Sequence, residues 1–425
     1  MAISWTISSD GKEAYGLEAK DSNGCNTTSS KESNEFMKLI TIVLLSTLSA
    51  FPQQNSAIPL PAPYATPSAK NGAKVIPRPE GATLHAPAGF TVTEFAAGFE
   101  RPRFLIQGES GEVLVSDTVA NGAVYFLEEG KKTAVVSKLD RPYGLAFWHD
   151  YLYIGEPTSI KRYKYDSATH TAGAGEEVVS LAGYDKGHVT RTIAFNQKGD
   201  KMYVAVGSSA DLVEGDPENR AAINEYNPDG TGHRVFASGF RNPVGLRFQP
   251  GTGNLWTTVE ERNELGDGLV ADYFTSVKPG GFYGWPYAYL GPNEDPRLAG
   301  KHPDLVKSSL APDVVLEPHC AILDFLFYTG KTFPAKYRNG AFLANHGSSN
   351  RAQRVGYSLS FLPFRNGKPV GKPQDFLTGW MLGADQKDVW GRPVGLLEMR
   401  DGSLLVSDDG GKKIWRIAYG KLNGK

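Results

Sequence analysis

Three short stretches place a charged or ionisable side chain just ahead of an apolar run. "GHVTRTIAF" carries His188, "FRNPVGLRF" carries Arg241 and Asn242, and "GRPVGLLEM" carries Arg392. An imidazole set among guanidinium groups is held neutral, the form in which it accepts a proton. Guanidinium groups converging on one place are costly unless an anion sits among them. These residue types point to a base beside an anion-binding centre, provided the fold brings the three stretches together. Taken singly, each has a plainer reading, because a buried Arg is normally paired and a lone His is more often a packed residue than a base.

A repeat would bring them together. "FRNPVGLRFQPGTGNLWTTVE" from Phe240 and "GRPVGLLEMRDGSLLVSDD" from Gly391 are nearly the same phrase. Related text starts at Arg101 ("RPRFLIQGESGEVLVSD"), Arg141 ("RPYGLAFWHDYLYIGE") and Thr190, and a looser version runs from Cys320 to Asn350. Each unit reads as an antiparallel meander of about four short strands joined by turns such as "KGD", "GTGN" and "RDGS". Six such units predict an all-β, six-bladed β-propeller. The alternating segment Gly89–Phe99 has no unit of its own and is expected beside "KKIWRIAYG", closing the ring without a free sheet edge. In that architecture the first strand of each blade lines the axis, so the residues that lead into it share one mouth. His319 and His346 also belong to units whose ends approach the channel.

The remaining composition mostly excludes. With a net charge of −1 the chain has no basic excess for nucleic acid. Only Cys25 and Cys320 occur, too few for a disulfide framework or a thiolate metal cluster, and no Cys-x-x-Cys-His haem motif exists. No His pair has zinc spacing, and no phosphate loop, dinucleotide fingerprint or nucleophile elbow is present. The acid-rich stretch Val259–Arg297 could fold around a hard cation such as Ca²⁺ or simply be a solvated loop. Within it "GGFYGWPY" could wall a sugar or a planar cofactor, or plug a blade.

The chain is expected to divide into a polar extension over 1–36, a secretory signal over 37–57, a Pro/Ala-rich linker over 58–80 and the propeller over 81–425. The signal reading rests on Lys38, the apolar run Leu39–Phe51 and the small residues Asn55-Ser56-Ala57, with Met37 as an alternative start. The run is short for a membrane span. The expected location is therefore secreted or periplasmic, with no stable membrane span in the mature protein.

"GHVTRTIAFNQKGDKMYVAVGSS", "ASGFRNPVGLRFQPGTGNLW", "ADYFTSVKPGGFYGWPY", "HGSSNR" and "GRPVGLLEMRDGSLLVSDD" together resemble the glucose/sorbosone dehydrogenase family, over about residues 85–420. The resemblance is greatest to the sorbosone and pyranose dehydrogenase branch. It implies pyrroloquinoline quinone (PQQ) and Ca²⁺ as cofactors, a sugar or aldose as substrate, and an external electron acceptor, a cytochrome or a quinone. It further implies His188 as the base and a cofactor contact, Arg241 as a catalytic residue that with Asn242 binds the cofactor and polarises the accepting carbonyl, and Arg392, Arg351 and Arg103 as further cofactor ligands. Main-chain carbonyls near Glu261 and Arg262 would hold the metal. Two departures stand out: Glu261-Arg262 replaces the family's Gly-Pro, and Ser349 replaces a Trp. A Ca²⁺-dependent propeller lactonase and a non-catalytic anion- or sugar-binding propeller are the alternatives. The lactonase would want Glu, Asn and Asp where this chain offers Arg and His.

Overall fold

The computed structural model describes residues 59–128 and 130–420. The extension, the signal segment and Cys25 lie outside the described residues. Six four-stranded antiparallel sheets are formed, each in the order expected for a propeller blade. Their innermost strands are Pro102–Gln107, Leu145–Trp148, Arg191–Phe195, Asn242–Phe248, Ile322–Phe327 and Pro393–Glu398. The sixth blade is completed by Phe90–Ala97, which pairs antiparallel with Lys413–Tyr419 as the sequence predicts.

The repeated "Val-Gly-Leu" now has a physical cause. Gly245 and Gly395 sit at bulges where the inner strand loses register with its neighbour. A Cβ at Gly395 would lie 2.2 Å from the Arg103 carbonyl oxygen, and one at Gly144 would lie 2.1 Å from that of Arg191. Only glycine lets adjacent blades come this close to the axis. Each bulge frees a backbone N–H, which a hydroxyl on the second strand accepts. Gly395 N donates to Ser407 Oγ (2.8 Å), Gly245 N to Thr258 Oγ1 (2.8 Å) and Phe104 N to Ser116 Oγ (3.0 Å). Ser407 and Ser116 then donate onward to the Arg103 and Tyr143 carbonyls of the next blade. The Ser in "VLVSD" and "LLVSD" is therefore a stitch between blades.

The second strands Val113–Asp117, Met202–Val206, Ala341–Asn345 and Leu404–Asp408 are buried throughout, which explains their nearly unbroken apolar text. Acids at their ends hold the start of the inner strand. Asp117 accepts from the Arg101 amide (2.5 Å), and Asp408 accepts from the Arg392 amide (2.7 Å) and from the indoles of Trp380 and Trp415.

The stretch expected as a linker is not free. Residues 59–76 lie along the propeller, with Tyr64 N donating to Leu265 O (2.8 Å) and Gly266 N to Ser68 Oγ (3.0 Å). Farther on, Lys74–Val75 pairs in parallel with Asp388–Val389. Proline restricts the unbound chain, so fixing this segment costs less than fixing an ordinary loop. Among the described residues no helix is long and apolar enough to cross a membrane.

Candidate active site

His188 stands where the chain enters the third blade. Its Nδ1 lies 3.0 Å from the Ser208 carbonyl oxygen and 3.1 Å from Ser208 Oγ. The carbonyl can only accept, so Nδ1 carries the proton and Nε2 keeps its lone pair. Burial, followed by the Arg241 guanidinium, pushes the imidazole pKa down to about 3.

Two buried arginines shape this corner without any ion pair. Arg191 donates to the carbonyls of Pro157, Tyr184, His188 and Thr190. Arg220 donates to those of Lys186, Gly207 and Ser208, so Ser208 O is shared by Arg220 and His188. The Arg in "HVTRT" thus fixes the loop that carries His188.

Arg241 and Asn242 open the fourth blade. Arg241 Nη2 pairs with Asp211 Oδ1 at 2.9 Å, and Nη1 donates to the Glu260 carbonyl at 3.3 Å. Asn242 Nδ2 donates to Glu260 Oε2 at 2.6 Å. Asp211 is itself positioned by Asn263 and by Trp285, whose indole donates to the Asp211 carbonyl (3.0 Å). Trp285 is 3% exposed, and Tyr283 stacks on Phe240 at 4.3 Å. The aromatic turn is therefore packed into the blade, the plugging alternative, and it acts on the site through Asp211.

On the first and sixth blades, Arg103 Nη2 lies 2.5 Å from Asp409 Oδ2, and His346 Nε2 lies 2.9 Å from Asp409 Oδ1. Despite its burial, Asp409 titrates well below the usual carboxylate range, Arg103 being the foremost cause. His346 is pushed down to about 3 by burial and by Arg392, so it stays neutral. Arg392 differs from its neighbours. Its guanidinium donates only to the carbonyls of His346 (3.2 Å) and Gly347 (2.8 Å) and lies over the Tyr357 ring. Burial lowers its pKa too.

His188, Arg241, Asn242, Arg103 and Arg392 thus all belong to chain entries or inner-strand starts on one rim. Arg241 pairs with Asp211, and Arg103 shares Asp409 with Arg101 (3.3 Å) and His346, whereas Arg392 has no carboxylate partner among the described residues. On these rim residues Arg103 Nε, Arg241 Nε and Asn242 Oδ1 are buried without partners among the described residues. An anion rich in oxygen would satisfy both guanidinium donors and the unpaired charge of Arg392.

Other expected residues are engaged differently. Arg351 is bound by Glu317 (2.5 Å) and by the Pro318 carbonyl (3.2 Å), at the outer strand of the fourth blade. Arg141, which shares the repeated phrase, pairs with the adjacent Asp140. At Glu261-Arg262 the side chains form a fully buried network. Arg262 Nε lies 3.0 Å from Glu261 Oε2, and Arg262 Nη1 lies 3.2 Å from Asp295 Oδ2 and 2.7 Å from the Pro286 carbonyl. Glu261 and Asp295 are thus spent on arginines, and Asp272 accepts from the Glu261 and Ala321 amides. Among the described residues no group of three or more His, Cys, Asp or Glu could hold a metal. Side chains therefore supply no Ca²⁺ cage here.

Asp211, Asp409 and Arg220 were not singled out in the sequence. Asp409 carried a signal, since the doubled acid of "SDD" leaves one carboxylate for the strand and one for the mouth. Asp211 carried none.

The TrAA12-like family model matches residues 84–271 and 304–420. The chain belongs to the TrAA12-like family. The unmatched interval of this TrAA12-like chain contains the aromatic turn that buttresses Asp211. A protein of Borreliella burgdorferi described only as uncharacterized is 29% identical over 357 residues, covering 80% of this chain and 92% of that one. Among solved structures, a carbohydrate-active enzyme of family AA12 from Trichoderma reesei is similar, with a TM-score of 0.68 and 22% identity. The alignment covers 82% of this chain and 100% of that one. The PQQ domain of pyranose dehydrogenase from Coprinopsis cinerea, in its holo form, has a TM-score of 0.67 at 21% identity, covering 80% and 98%. A PQQ-bound aldose sugar dehydrogenase from Streptomyces coelicolor has a TM-score of 0.56 at 20% identity, covering 79% and 99%. These likenesses establish the six-bladed fold.

Proposed function

We propose that this chain oxidises a sugar or aldose with PQQ bound at the arginine rim, and that electrons leave to a separate acceptor. The observation that carries this reading is His188. It is a neutral imidazole whose Nδ1–H is fixed on Ser208, with Nε2 free, beside guanidinium groups that still have unused donors. A bound sugar hydroxyl would give its proton to His188 Nε2, and the imidazolium would be held by the Ser208 carbonyl. When bound, PQQ supplies the electrophilic carbonyl that accepts the hydride. Arg392 and Arg103 would hold the carboxylates of such a guest, and Arg241 with Asn242 would orient the oxygen that gains charge. Relatives solved with PQQ and the match to a family of carbohydrate-active oxidoreductases support this assignment.

The direct test adds PQQ, with and without Ca²⁺, to the purified protein and follows dye reduction over a panel of aldoses. Absence of quinone absorbance on the protein together with absence of dye reduction would sink the proposal. Lactone hydrolysis without quinone would favour the lactonase instead.

A pH dependence follows from the same geometry. His188 must be neutral to act, and its pKa is depressed, so acid removes the working form only below the usual histidine value. The acid limb of kcat/KM is expected clearly below pH 6.5. An anionic guest raises the value from about 3 but faces the same cations. A limb at or above 6.5 would mean that another group is the base.

A further inference from the structure

The segment Pro59–Val75 meets the loop after the fifth blade's second strand at one residue. Asn71 Nδ2 donates to the carbonyls of Arg351 (3.1 Å) and Ala352 (2.9 Å), and Asn71 N donates to Ser349 O (2.8 Å). Its Oδ1 accepts from Arg354 Nη2 at 2.9 Å. Arg354 is 2% exposed and has no carboxylate partner among the described residues. It also reaches Gly72 O, Gln386 O, Ser348 O and the Tyr357 hydroxyl, so one guanidinium joins the N-terminal segment, the fifth-blade loop and the entry to the sixth blade.

The near end of that loop holds Arg392. The two carbonyls that Arg392 uses belong to His346 and Gly347, and its guanidinium lies 5.6 Å over the Tyr357 ring. Tyr357 Oη donates to Ser348 O (2.7 Å), the carbonyl that Arg354 also contacts. A continuous chain of bonds therefore runs from Asn71 through Arg354 and the 346–357 loop to the one rim guanidinium without its own carboxylate. Tyr357 and Val355 pack into the apolar cores, but the rest of the loop is polar, so its placement depends largely on these bonds.

We propose that Asn71, with Arg354, is a positioning residue for the anion-binding rim, so that residues upstream of the first blade set how tightly Arg392 holds its guest. The inference rests on PQQ being that guest. Asn71 is only half-buried, so Asn71→Ala removes the contacts without opening a core cavity.

Three measurements on the full chain decide it: the PQQ dissociation constant from quinone absorbance, amide exchange over residues 346–357, and the thermal midpoint. The expected result is roughly tenfold weaker PQQ binding with faster exchange in the loop, from the loss of three side-chain hydrogen bonds. The thermal midpoint should change little, and turnover at saturating PQQ should be nearly kept. Unchanged PQQ affinity in Asn71→Ala, against a wild type that does bind, overturns the positioning role. Unchanged exchange over 346–357 overturns it whether or not PQQ binds. If the wild type binds no PQQ, the reading of the site fails, and the exchange comparison still judges the brace.

Discussion

His188→Ala is expected to lower turnover by about 10²–10⁴-fold, the range for removal of a positioned base. PQQ affinity should be nearly unchanged, because the ring contributes no charge to the rim and its one fixed contact is with Ser208. The split between lost turnover and kept binding is the informative part. A fall in both together would suggest that Arg191 and Arg220, which share carbonyls with this loop, had let the corner collapse. Substantial residual turnover would remove His188 from the chemistry. The measurement is single-turnover dye reduction with PQQ already bound, which separates chemistry from binding.

The second large effect concerns stability. Arg262→Ala is expected to destabilise the propeller by about 3–5 kcal/mol, as for removal of one partner of a buried pair. Both Arg262 and Glu261 have fully buried side chains. The substitution would leave Glu261 with only the residue 262 amide, while Asp295 would retain Arg297 at 2.7 Å. It would also strip the Pro286 and Ala288 carbonyls of their donors. The shift in the denaturant midpoint is the readout. Glu261→Gln with Arg262→Ala should recover part of the loss, since the stranded charge would then be neutral. A loss below about 1 kcal/mol would place the pair with weak surface bridges.

What could be read from the sequence, and what could not, follows from range. The blades were legible because their signals are local: a glycine where strands crowd the axis, a Ser-Asp pair where a second strand ends. His188, Arg241, Asn242 and Arg392 were legible by their shared position ahead of an inner strand. The partners were not, because they come from elsewhere in the chain. Arg241 meets Asp211 from a loop of the preceding blade, and Arg103 meets Asp409 from the sixth blade, adjacent in space but remote along the chain. This weakens the argument that several rim cations must all await an external anion. Two carry internal counter-charges, and the case for a guest rests mainly on Arg392. The proline-rich stretch was misjudged for a related reason. Its composition describes an extended chain, and nothing local says that an asparagine within it meets a buried arginine 283 residues away.

The ring is fastened by pairing Phe90–Ala97 with Lys413–Tyr419, segments from the two ends of the folded unit. A chain emerging in order must therefore hold its earliest strand unpaired until nearly the last residues have appeared. Its sixth blade, which supplies Arg392 and Asp409, cannot finish before then. Until that pairing forms, one sheet edge stays open and the rim stays unfinished, so a guest arriving early finds nothing complete to bind.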